Sequence, residues 1–187
     1  MQIELKKLKI CKWMSQETNC YACEVWIDGK LAGWAENDGH GGPDSFNTQK
    51  GFALGDLGSV LNEYATKHLP IRKYSWGEVK PDAETLMGDL IQKADERKKF
   101  DSDIKKKILY TSKKKDGSWG VFELAFKRKL KDGSTKIITL EEGVAKLTAC
   151  GFITAESIVL NIMRHDLAFD LYRQLVFVSK PLPEEVK

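Results

Sequence analysis

The sequence predicts an α+β protein: two antiparallel three-stranded meanders, each followed by helices, joined by a long charged helix. Three observations predict it. Asp28-Gly29, Asp116-Gly117 and Asp132-Gly133 each separate runs of alternating apolar and polar residues, the strongest short-range mark of a hairpin. Elsewhere the apolar spacing changes to three and four, the period of a helix packed on one side. Residues 81–107, PDAETLMGDLIQKADERKKFDSDIKKK, open with acids and close with lysines, complementing a helix dipole. The implied organisation is an N-terminal lobe over 1–80, a connecting helix over 81–106 and a C-terminal lobe over 107–187.

Each element has its own signal. IELKKLKI (3–10) alternates and reads as the first strand. CYACEVWI (20–27) places Tyr21, Cys23, Val25 and Ile27 on one face, and Ala22, Glu24 and Trp26 on the other. KLAGWAE is the return strand, with Gly33 marking a bulge or a close approach. Residues 37–51 read as a loop. From Phe52 to Leu69 a stripe of Leu54, Leu57, Leu61, Tyr64 and His68 predicts a helix, ended by Pro70. Ile71 to Lys80 is a plain connection. The charged helix carries a narrow stripe of Leu86, Leu90, Ala94, Arg97 and Ile104, with Asp82 as its cap. KILYTS, WGVFELAFKRKL and TKIITL form the second meander, one face covered and the other wet. Thr139 and Glu142 make a capping box for a short helix that stops at Gly151. From Thr154 to Val178 the pattern predicts one long or two short helices, before a PLPEEVK tail.

Composition narrows the class. The chain has 187 residues, 42% hydrophobic and 30% charged, the balance of a folded soluble domain. No apolar run approaches the roughly 20 residues that span a bilayer. The alternating start differs from a signal peptide, so a cytoplasmic location and reduced thiols are expected. CYAC has the C-x-x-C form, but positions three apart on a strand face opposite ways and no helix follows, so small structural thiols are expected.

Four places could carry function. In WAENDGHGGPDSF (34–46), Asn37 is followed by Asp38 and His40 alternating with Gly39 and Gly41. Such a loop could hold a metal or a phosphate. Turn chemistry alone also selects these residue types, and neither a Walker nor a dinucleotide-binding pattern is present. His68, His165 and Asp166 read as structural. Between Lys98 and Lys115 stand eight lysines and two aspartates, and Lys105, Lys106, Lys107, Lys113, Lys114 and Lys115 form a candidate phosphate-backbone patch. LEEGVAKLTACGFITAESIVLNIM has the rhythm of a helix-turn-helix, but its second helix would carry no Arg or Lys. Finally, the five tryptophans are many for this length, and Trp26 and Trp34 share the outer face of the first hairpin, as interface anchors do.

The stretch SQETNCYACEVWIDGKLAGWAENDGHGG, with the IELKKLKI opening, the ETN before the hairpin, the DGK turn and the NDGHGG loop, resembles a family of small proteins of tailed bacteriophages and prophages. The resemblance covers the N-terminal half and implies a context: a phage-encoded accessory protein in a bacterial cytoplasm. The expected function is therefore non-enzymatic binding and modulation of a host protein, a defence factor among the possibilities, with no cofactor, metal or catalytic residue assigned. The alternatives are a ligand-binding protein or metal-dependent enzyme centred on the NDGHGG loop, and a nucleic-acid binder acting through Lys105 to Lys115.

Overall fold

The Asp28-Gly29 turn forms as its residue types require. Asp28 (φ 49°) and Gly29 (φ 77°) both lie in the left-handed region. They join β2 (Tyr21–Ile27) to β3 (Lys30–Asn37), and β1 (Ile3–Ile10) pairs with the other side of β2. In this computed structural model residues 1–75 and 77–178 are described; Trp76 and residues 179–187, the PLPEEVK tail included, lie outside them. The chain is mixed α and β, with antiparallel sheets, and divides into two compact units, Met1–Ala94 and Asp95–Lys187.

In the first unit the sheet has four strands, not three, in the order β1-β2-β3-β4. The added strand, β4 (Ser45–Thr48), lies in the stretch expected to be loop and pairs with β3 from Gly33↔Thr48 to Glu36↔Ser45. Four residues with one large apolar side chain, Phe46, carry no readable period; the open edge of β3 supplies the pairing. Two bulges bend the sheet. One is in β1, where Lys7 takes φ 51°. The other is in β3 beside Gly33. A Cβ at Gly33 would strike the Asn47 carbonyl and lie 2.9 Å from Leu57 Cδ2, so this glycine is needed for close approach.

The helix α1 (Leu57–His68) starts later than the leucine stripe suggests. Asp56 caps it by accepting the Ser59 N–H at 2.9 Å, which leaves Leu54 and Gly55 in the lead-in and Leu54 exposed. The stretch expected to be a plain connection contains a short hairpin, β5 (Arg72–Tyr74) with β6 (Gly77–Val79). Asp82 caps α2 (Ala83–Ile104) through the Thr85 N–H at 2.8 Å. That helix ends before Lys105, so the lysine run lies beyond its last turn and not within it. The helix is also more than a connector. Ala83, Leu86, Met87 and Ile91 belong to the first core, and Phe100 to the core of the second unit. Val25, Ile27, Ala32, Leu57, Leu61 and Met87 fill the space between the sheet and the helices. Each of the larger side chains contributes about 2 kcal/mol by leaving water.

The second unit is built on the hairpin β7 (Lys107–Lys113) with β8 (Trp119–Ala125). The expected three-stranded meander does not form. Its middle strand breaks at Phe126, and β9 (Lys127–Lys129) pairs with β10 (Thr135–Ile137) as a separate ribbon. Phe126 links the two ribbons, donating its N–H to Lys106 O and accepting from Ile138 N, both at 2.9 Å. Neither face of β7 is wet, whereas β8 keeps Phe122 and Glu123 exposed. Leu109, Trp119 and Val121 join Phe100, Phe169 and Tyr172 on one side, while Ile108, Tyr110 and Leu124 join Leu147 and Val159 on the other. The unbroken buried run Ile108 to Thr111 records this double cover.

The capping box of Thr139 and Glu142 starts α3 (Leu140–Ala149), and Gly151 (φ 74°) ends it. A Cβ at Gly143 would meet Ile108 Cδ1, so that glycine lets the helix lie close to β7. No helix begins at Thr154. Val159 pairs with Tyr110 as an isolated bridge, a 3₁₀ turn covers Leu160–Ile162, and α4 runs from His165 to Arg173 and continues as a π turn over Gln174–Val178. Asn161 explains the break: its side chain accepts the Leu109 N–H and donates to the Ile104 and Lys107 carbonyls at 2.8–3.0 Å. The segment is pinned against β7 by these bonds and the Val159 bridge, and the helix-turn-helix reading fails with it. Among the described residues no helix is long and apolar enough to cross a membrane.

Candidate functional site

The residues of NDGHGG do not converge on a catalytic centre; they brace one another. Asn37 ends β3 on the inner face, paired with Tyr21 across the sheet, and is 8% exposed. Its Oδ1 accepts from the Gly39 N–H and the Thr18 hydroxyl, each at 2.8 Å. Its Nδ2 donates to the Gly42 carbonyl and to Asp44 Oδ1, each at 2.9 Å. Asp38 Oδ1 accepts the His40 N–H at 3.1 Å, a turn closed on its own backbone. Both Asp38 and His40 are exposed.

Gly39 ties this loop to residues 11–20, the strap between β1 and β2. Its carbonyl accepts from the N–H groups of Gln16, Glu17 and Thr18 at 3.0, 3.2 and 3.5 Å. Three successive N–H groups aimed at one point make an anion nest, and here a carbonyl of the chain fills it. The N–H groups of Gly39, His40 and Gly41 are likewise taken, by Asn37, Asp38 and Thr18. The phosphate reading of this loop therefore has no donor set at 39–41 to rest on. Gly39 (φ 88°) also has no room for a Cβ, which would meet the Met14 carbonyl and lie 2.8 Å from Cys20 Cβ.

Between strap, loop and the first turns of α2 lies a cavity of about 390 Å³. Glu17, Asp44 and Glu84 contribute carboxylates to its wall, Tyr21 and Asn37 the end of the sheet, and Ile91 an apolar patch. Among the described residues no lysine, arginine or histidine lines it. The loop shapes this wall: the strap is drawn in by Gly39, and a Cβ at Gly41 would collide with the Glu17 carboxylate. Tyr21 is 5% exposed, and its hydroxyl is the one buried side-chain polar atom without a hydrogen-bond partner among the described residues. Asp44 lies beside the phenol. Burial first, and then Asp44, push the phenol well above its usual range. Sequence reasoning missed this cavity, because its carboxylates come from three separate segments.

The opposite face of the same sheet carries the tryptophans. Trp34 is 42% exposed, with Glu24 across from it on β2 and Asn47 across from it on β4. Trp26 is half-buried, its indole N–H donating to Glu24 at 3.1 Å and its ring 3.7 Å below Lys6 Nζ. Lys7 binds Glu24 at 2.6 Å and, with Trp26, holds that carboxyl below the usual range.

The other predicted residues are dispersed. Lys105 and Lys106 precede β7, Lys107 begins it, Lys113 ends it, and Lys114 and Lys115 follow it. The six lysines thus divide between the two ends of a seven-residue strand, about 20 Å apart. Lys107 is engaged by Asp103 and Glu123, and Lys113 by Glu156. His165 bridges Asp101 (3.1 Å) and Arg97 (2.6 Å), and Arg97 also holds Asp166 at 2.9 Å, a network that ties the start of α4 to α2. Cys20 and Cys23 diverge. Cys23 is in the core, where burial pushes its thiol up to about 11, whereas Cys20 stands opposite Cys11. Among the described residues no group of three His, Cys, Asp or Glu could hold a metal ion. No protein-family model, curated protein or solved structure matches the chain.

Proposed function

We propose that the chain is a phage-encoded accessory protein that acts by binding a host bacterial protein, an immune factor among the candidates, without catalysing a reaction. The observation that carries this reading is Trp34, an indole exposed in the middle of a sheet face whose opposite side takes all the helix packing of its unit. Keeping a large apolar ring in water has a cost that docking against a partner recovers, and tryptophan is the side chain most enriched at such anchor points. Trp26, fixed beside it by Glu24 and Lys6, gives the surface a rigid border. The phage context rests on the ETN, DGK and NDGHGG pieces of the sequence.

Affinity capture from a host lysate, with the wild-type chain and Trp34→Ala in parallel, tests the proposal. The expected result is a stoichiometric partner, identified and reconstituted from purified components, whose affinity falls at least about tenfold in the variant. Failure to capture a stoichiometric partner, or a partner indifferent to Trp34, would overturn it.

A further inference from the structure

We infer that the ribbon of β9 and β10 is a binding element for duplex DNA, entering a groove with its lysines against the phosphates on either side. It belongs to the second unit and does not depend on the Trp34 face.

The first observation is charge. Residues 127–136, KRKLKDGSTK, set Lys127, Arg128, Lys129, Lys131 and Lys136 against one acid, Asp132. Five positive charges less one negative give this stretch +4, while the whole chain carries +3, so the remainder of the protein stands at −1. Asp132 is turned onto its own loop, where its carboxylate accepts the Ser134 N–H and hydroxyl at 2.9 and 2.6 Å. Lys127, Lys129, Lys131 and Lys136 are exposed, and among the described residues none of them enters an ion pair.

The second observation is independent of charge. Every residue from Lys129 to Ile137 is exposed, so β10 has water on both of its faces. A two-stranded ribbon without a covered face gains little stability from burial, and packing does not account for it. Its foot is fixed by the backbone bonds of Phe126. Beyond that foot Leu130 and Ile137 stand 41% and 65% exposed among the lysines. Between the ribbon and the start of α3 lies a concavity of about 420 Å³, with Lys136 and Lys146 on its wall beside Glu142.

Together these features select the ligand. Lys127 pairs with Ile137 and Lys129 with Thr135, and Lys136 belongs to the alternate pair between them. Successive strand positions face opposite ways, so Lys127 and Lys129 stand on one face of the ribbon and Lys136 on the other. Cations on both faces match phosphates on both walls of a groove, whereas a flat anionic membrane would meet one face alone. The major groove of B-form DNA is about 12 Å wide and admits a two-stranded ribbon, whereas that of duplex RNA is too narrow. Lysines address phosphates, which carry no base identity, so the binding tolerates sequence.

The test is fluorescence anisotropy of a labelled DNA duplex of about 20 base pairs, titrated with the whole chain at about 50 mM salt. The expected result is a Kd of about 100 µM or tighter that weakens with salt, with a log–log slope of about −4. Lys129→Gln, Lys131→Gln and Lys136→Gln combined should weaken binding at least about tenfold and flatten the slope by about 3, with folding verified by circular dichroism. Lys30→Gln, Lys50→Gln and Lys93→Gln combined remove the same charge from exposed positions of the first unit and should change affinity less than about threefold. Duplex RNA of the same length and phosphatidylserine vesicles, run in parallel, should bind more weakly than the DNA. Absence of salt-dependent DNA binding, equal losses in the two triple variants, or RNA or vesicles bound as tightly as DNA would overturn the inference.

Discussion

The Asn37 side chain accepts the Gly39 N–H at 2.8 Å, and the Gly39 carbonyl in turn gathers three N–H groups of the strap. The side chain of one residue and the backbone of the other thus join β3, the loop and the strap. Asn37→Ala removes four hydrogen bonds at a buried position and should cost about 2–4 kcal/mol in urea unfolding. Gly39→Ala should cost at least as much, since the added Cβ meets the Met14 carbonyl and the φ of 88° disfavours any side chain.

Tyr21→Phe should act in the other direction. The hydroxyl it removes is buried and unbonded, so the variant should be more stable by about 1 kcal/mol, read as a higher midpoint with an unchanged slope. A loss of stability would show that the phenol has a bonding partner in solution.

Oxidation should link Cys11 to Cys20, not the C-x-x-C pair. Cys11 donates its N–H to the Cys20 carbonyl at 2.9 Å, the two thiols interact, and the register continues from Ile10↔Tyr21. Directly opposed strand positions lie within the Cα separation a disulfide accepts. Peptide mapping after mild oxidation with glutathione disulfide should find the 11–20 link and an unmodified Cys23, whose thiol is pushed up to about 11 by burial. Closing this short loop should raise stability by about 2 kcal/mol.

Acid should lower the stability of the protein in a definite window. The hydrogen bond from Lys7 lowers Glu24, the Ser59 N–H lowers Asp56, and the Ser118 and Ser134 hydroxyls lower Asp116 and Asp132. A carboxylate with a folded pKa below its unfolded value adds stability that is present above the unfolded pKa. That stability is lost as the pH falls through the folded value. Urea midpoints should therefore be similar at about pH 7 and 5 and clearly lower at about pH 3. A midpoint independent of pH over this range would contradict the assignments.

Much of the local structure was legible because it is set by local chemistry. The Asp-Gly turns, the capping box at Thr139 and Glu142, the Asp82 cap and the inward face of Tyr21, Cys23, Val25 and Ile27 all follow from residue type and spacing. What was not legible depends on distant partners. The strand Ser45–Thr48 exists because β3 has a free edge, and Thr154–Met163 is not helical because Asn161 is claimed by the carbonyls at the end of α2 and the start of β7. The break at Phe126 comes from its two backbone bonds, to Lys106 and Ile138, which no periodicity encodes. The same holds for the site. The sequence directs attention to NDGHGG, but the cavity it supports takes Glu17 from the strap, Asp44 from beyond the loop and Glu84 from a helix forty residues on.

The NDGHGG loop is, in this reading, a scaffold for binding surfaces and not a catalytic centre. The most direct test compares His40→Ala with Asn37→Ala, measuring unfolding free energy and affinity for the captured partner in each. His40→Ala is expected to leave both unchanged within about 0.5 kcal/mol, whereas Asn37→Ala lowers stability by several times that amount. A His40→Ala chain that folds as well as the wild type but has lost its partner or its biological effect would contradict the scaffold role.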